Sequence, residues 1–183
     1  MVNEGKIKKR IFVWNIVGII FVSAVGSFLH FIFDISGEKA WAGIIGAVNE
    51  STWEHLKLLF WPIVIWMMAE YIFYGRNISG FFWTKALSIL IGMASIVVLY
   101  YTSSGIIGKD IAIVNIAIFV IGAAVAGIYS IKKLSKSWIG QGVMVQDLAG
   151  IVIIIVLAVL FVTFTFYPIR IGLFASPDGK FGI

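Results

Sequence analysis

Five unbroken apolar stretches dominate this chain, and each is about twenty residues long, the length a helix rising 1.5 Å per residue needs to cross roughly 30 Å of hydrocarbon. They run from about Ile11 to Phe33, Thr52 to Tyr74, Phe81 to Ser103, Ile111 to Ser130 and Val145 to Tyr167. Only 13% of the 183 residues are charged, against roughly 25% in a soluble domain, so a water-soluble globule is excluded. A sixth apolar segment, 40–48, reaches only about 14 Å as a helix and is expected to dip into the membrane or lie on it. The expected fold is therefore all-α: an integral membrane helical bundle of about five transmembrane helices with one short re-entrant or interfacial segment. No repeat or long linker divides 1–183, so a single domain is expected.

The basic N-terminal residues Lys6, Lys8, Lys9 and Arg10 before the first span resemble the opening of a signal peptide. The apolar run continues past the small residues near Ser23 to Ser27, so a retained first helix is expected instead. Alternate flanks of the spans carry nine Lys and Arg residues on one side and four on the other, with Lys57 inside a span. The richer side is cytoplasmic by the positive-inside rule, which puts the N-terminus inside and the C-terminal tail outside the cell membrane. Trp14, Trp41, Trp83 and Trp138 fall near the water boundaries, where indoles are favoured. Topology accounts for the basic charge, so membrane lipids are the expected partners and nucleic acid is not. A second copy or another membrane protein stays open as a partner. Small residues four apart, Ala123 with Gly127, Gly122 with Ala126 and Ser23 with Ser27, allow close helix approach. Cysteine is absent, which excludes disulfides and thiolate sites.

One segment breaks the apolar rule: Asn49-Glu50-Ser51-Thr52-Trp53-Glu54-His55-Leu56-Lys57 at the head of the second span. A charge at a helix centre costs roughly 2.5–3.5 kcal/mol to insert, so local compensation is required. Ser51 and Glu54 make a capping box, and Glu54 and Lys57, three apart, can pair on one face. Capping leaves Glu50, His55 and Lys57 unexplained, although a lysine can also snorkel to the interface. Opposite span directions bring the end of the first span and the start of the second into one leaflet, so His30, Asp34 and Glu38 converge on Glu50, Glu54 and His55. His30 and Asp34, four apart, would share a helix face.

Two imidazoles with several carboxylates suit a divalent metal such as zinc, with His30, Asp34, Glu54 and His55 as candidate ligands. Glu54, His55, Glu50 and Lys57 are the candidate catalytic residues, and Asn49, Trp53, Arg170 and Asp178 the candidate substrate-binding ones. Metal chemistry, acid–base work without metal, and a structural hydrogen-bond network all remain open here; so do a lipid-acting enzyme, a solute or ion transporter and a structural protein. No recognised metal spacing occurs, and adjacent Glu54 and His55 point about 100° apart on a helix. Pro62 frees the carbonyl of Leu58 and is expected to shape the helix below the motif. Glu70 is expected at the interface beside Arg76, and Asp147 as a cap or dipole partner at the start of the fifth span. The tail from Tyr167 contains the turn signal Pro177-Asp178-Gly179 and can either close over the outer mouth, carrying Arg170 and Asp178, or pad the interface.

The run Asn49-Glu50-Ser51-x-Trp53-Glu54-His55-x-Lys57 followed by Leu58-Leu59-Phe60-Trp61-Pro62 resembles the signature of a bacterial polytopic membrane family described only as a domain of unknown function. The likeness runs from His30 onward, with Ser176 where an acidic residue is expected. It implies a multi-spanning fold and no activity.

Overall fold

A computed structural model describes residues 4–109, 111–137 and 145–183. Trp138 lies outside them. Among the described residues seven α-helices follow in order: α1 (Glu4–Leu29), α2 (Ile32–Ile35), α3 (Ala40–Ile45), α4 (Thr52–Phe73), α5 (Phe81–Ile107), α6 (Ala112–Leu134) and α7 (Val145–Phe166). Five of these, α1, α4, α5, α6 and α7, are long and apolar enough to cross a membrane. No strand occurs among the described residues. The 40–48 segment contributes only the six residues of α3.

Helices α1, α4, α5 and α6 form a ring, each packed on its two neighbours, and α7 lies against α5 with lighter contact to α4 and α3. The upper end of the bundle is where α1 finishes and α4 begins. Small residues set the close approaches expected of them: Gly122 and Ala126 on α6 meet Gly92 of α5, and Gly127 meets Ile19 of α1. Ser27 instead donates to the Ser23 carbonyl within its own helix. Pro62 lies inside α4 and offers no amide to Leu58 O. That carbonyl faces Gly26 of α1, where a Cβ would stand only 2.5 Å from it. The glycine therefore lets α1 settle against an acceptor that α4 leaves free.

Two polar residues at the lower end depart from the sequence expectation. Glu70 is buried, not interfacial, and pairs with Lys85 instead of Arg76. Lys85, one of the nine basic residues expected on the cytoplasmic flanks, is itself buried, so it is no flanking charge. Tyr74 donates to Glu70 Oε1 at 2.6 Å, Asn15 donates to the Tyr74 hydroxyl at 3.1 Å, and Lys85 donates to Asn15 Oδ1 at 3.1 Å. The charges are thus compensated by protein partners, as burial requires.

Asp147 caps a helix other than its own. Its carboxylate accepts from Gly80 N at 3.0 Å and Phe82 N at 2.8 Å, satisfying the free amides at the start of α5, where Gly80 has no side chain to do so. Gly150, one turn on, keeps α7 close enough, since a Cβ there would meet the Phe82 backbone at 2.5 Å. Asp147→Ala is expected to lower stability by about 2 kcal/mol through those orphaned donors, or roughly 4–8 °C in thermal unfolding. An unchanged midpoint in detergent would remove this role.

Candidate functional site

The polar motif divides by helix geometry. Ser51 starts α4 as N-cap, its hydroxyl accepting from Glu54 N at 3.3 Å. Glu54 and Lys57, nearly a full turn apart, point together into the bundle and are both essentially inaccessible. Their ion pair closes at 2.5 Å. The ammonium's other two protons go to Gly43 O and Thr165 Oγ1, each at 2.7 Å. Glu54 in turn accepts from Val48 N at 3.1 Å and lies 3.1 Å from the Thr165 hydroxyl. The candidate catalytic residues Glu54 and Lys57 therefore form a buried brace joining α3, the loop before α4, α4 and α7. Thr165, invisible as a partner at 108 residues' separation, completes it.

His55, about 100° round the helix from Glu54, faces elsewhere. Its Nδ1 lies 2.9 Å from Ser51 O. A carbonyl only accepts, so Nδ1 carries the proton and the Nε2 lone pair is left free. His30 Nε2 lies 3.2 Å from it. Glu50, on the loop before α4, places one carboxylate oxygen 3.6 Å from His30 Nε2 and the other 3.4 Å from His55 Nε2. Both rings are about 30% exposed and Glu50 60%, so the cluster is open to solvent, unlike the brace.

Two expected ligands lie outside this cluster. Asp34 cannot share a helix face with His30, because α1 ends at Leu29 and Asp34 belongs to the separate, exposed turn of α2. Glu54 is committed to Lys57. The described residues that bring metal-ligating atoms together, all within 4.8 Å of one another, are His30, Glu50 and His55. Glu38 is exposed and apart from them.

The four residues expected at substrate sit elsewhere. Asn49 donates to Gly182 O at 3.1 Å and accepts from Ser51 N at 2.9 Å, anchoring the tail to the motif. Trp53 is buried against Phe161 and Phe164 of α7 and Phe174 of the tail. Arg170 is exposed, and Asp178 pairs with Lys180 at 3.1 Å on the surface. The tail is thus held at the upper end by Asn49, by Trp53 and by the bond from Ile183 N to Thr165 O at 3.1 Å.

The cluster stands at the mouth of a cavity of about 430 Å³ bounded by α1, α4, α5 and α6. Apolar side chains, among them Leu58, Ile96, Ile116 and Phe119, form most of its wall. The Glu50 carboxylate facing His30 raises the imidazole above its ordinary 6.5, against the opposing effect of burial; the more distant Asp34 adds to the rise. The same pairing holds the Glu50 carboxyl below its ordinary value. The sign follows for each. The His30 contribution to stability is complete below pH 6.5 and is lost as pH rises through the raised value, whereas that of Glu50 is complete above pH 4.5 and is lost on acidification.

The donor set fits a small divalent cation. Metal–nitrogen bonds of about 2.0 Å in tetrahedral geometry put two ligand atoms about 3.3 Å apart, close to the spacings between these three groups. His30 Nδ1 is buried without a hydrogen-bond partner, so the outer side of that ring is less firmly held than that of His55.

A family model matches residues 4–183 of the chain, and its description is Family of unknown function (DUF6512). No curated protein and no solved structure matches.

Proposed function

The chain belongs to this family of unknown function, whose description assigns no chemistry, and from the site itself we propose an integral membrane enzyme that binds a divalent ion, zinc by ligand type, through His30, Glu50 and His55 and acts on a lipid or lipid-linked group. The observation that carries this reading is the meeting of two imidazole nitrogens and a carboxylate, 3.2–3.6 Å apart, at the mouth of an apolar cavity. A divalent ion held there supplies Lewis-acid polarisation of a substrate oxygen. The chain supplies the rest. Ser51 O fixes the His55 tautomer, Glu50 gives the site a negative charge at neutral pH, and partial exposure leaves room for water and a head group.

Burial separates this reading from its competitors. A cluster that only braced the fold would be sealed, as Glu54 and Lys57 are. A transport path would need polar groups along α4, yet Leu59, Phe60, Ile63 and Met67 are buried between the two ion pairs. Metal analysis of the purified protein tests the proposal: one equivalent of divalent ion per chain is expected after loading at pH 8, and no bound ion would remove it.

The membrane orientation belongs to the same proposal. Removing Lys85, which is buried, leaves eight basic flanking residues against four, still placing the N-terminus in the cytoplasm and the site outside. The natural chain has no cysteine, so Asp178→Cys introduces a single label site in the tail. A membrane-impermeant thiol reagent is expected to modify it in intact cells; modification only after lysis would reverse the orientation.

A further inference from the structure

We infer that the cavity beneath the cluster receives one hydrocarbon chain of a membrane lipid, with the lipid's oxygen-bearing head at His30, Glu50 and His55. This deepens the enzyme reading and rests on it for the role of the head, while the chain site stands on the shape and lining of the cavity.

The volume of about 430 Å³ lies within the roughly 300–1,000 Å³ typical of small-molecule sites. Its wall is mainly hydrocarbon. His30, Glu50 and His55 line it together with the Tyr100 phenol, Ser27, Thr52 and Asn115 add a few further polar atoms, and the buried Glu54–Lys57 pair is not part of the lining. Below the mouth, Leu58, Ile96, Ile118 and Phe119 meet the occupant with hydrocarbon. A sugar or nucleotide would lose the hydration of its polar groups against such walls, at a cost of roughly 1–3 kcal/mol for each unpaired group. An alkyl chain loses nothing comparable.

Position points the same way. On α6 the lining extends from Ala112 to Phe119, about 10 Å along the axis of a helix apolar enough to span a membrane, so the cavity descends beside hydrocarbon. Phe31 and Ile116, both in its wall, are more than half exposed, so the wall reaches the outer surface of the bundle. A lipid already in the bilayer has its chain at this depth. Because bilayer hydrocarbon is as apolar as the cavity, moving a chain between them contributes little affinity. The head therefore sets how tightly the lipid is held, and the cavity sets which chain is accepted.

The test uses the full-length protein in vesicles containing phosphatidylglycerol with an alkyl diazirine on one acyl chain, followed by irradiation and mapping of adducts. Adducts are expected on the α6 segment from Ala112 to Phe119. Ala112→Phe, at the exposed start of α6, is expected to reduce them at least tenfold while leaving metal loading unchanged; Ile116→Trp provides a second obstruction should the first disturb folding. Adducts confined to the outer faces of the bundle, or α6 adducts unaffected by both substitutions, would overturn the chain site. His55→Ala separates the two readings: α6 labelling that persists in wild type and variant when neither binds metal would leave the chain site standing and remove the metal.

Discussion

Lys57→Met is expected to destabilise the protein by about 3–5 kcal/mol, because it strands the buried Glu54 carboxylate without its cation. The ammonium is inaccessible and gives its three protons to Glu54, Gly43 O and Thr165 Oγ1. Methionine fills most of the volume and satisfies none of the three. Glu54→Gln combined with Lys57→Met is expected to recover more than half of the loss, since glutamine still accepts from Val48 N and no charge remains buried. Equilibrium unfolding of both single variants and the double variant in mild detergent gives the coupling. Losses that simply add would show that the pair does not act as a unit.

The second large effect concerns metal affinity. His30→Ala, His55→Ala and Glu50→Gln are each expected to weaken divalent-ion binding by at least about 100-fold, the upper range for disturbing even an outer partner of a metal ligand. Asp34→Ala is expected to change it only a few-fold, because Asp34 lies outside the ligand set. Binding should also strengthen as pH rises through the raised value of His30, since the ion competes with the proton that Glu50 helps to hold there. Titration of purified protein with zinc at several pH values measures both effects. Equal affinity in wild type and His55→Ala, or affinity that falls between pH 6 and 8, contradicts the assignment.

The five long helices are legible because a bilayer permits few alternatives to an apolar run of spanning length. The Ser51 half of the capping box and the Glu54–Lys57 pair are local and equally readable, whereas Ser51 N donates to Asn49 Oδ1 and the Glu54 carboxylate accepts from Val48 N instead of closing the box. Convergence of His30 and His55 follows from span direction alone. Their third partner is harder to identify. The 100° step between Glu54 and His55 shows that the two cannot face one point, yet only the structure turns Glu50 inward from its loop. The His30–Asp34 pairing fails because α1 ends at Leu29, and Leu29-His30-Phe31-Ile32 contains neither Gly nor Pro to announce it. Thr165 and Asn15 are hidden differently: each is one polar residue in an apolar span, and its partner comes from another helix. Their signal was polarity inside a span, which by itself marks a residue for attention and names no partner.

The contact between Gly26 and the Leu58 carbonyl acts as a fulcrum for the site above it. His30 follows Gly26 by four residues, and His55 precedes Leu58 by three, so each imidazole rides about one turn above the point where the two helices touch. A side chain at position 26 would pry the helices apart there and spread the chelating bite without altering any ligand. In the proposed site, the grip on an ion would thus be set through a residue that never meets that ion.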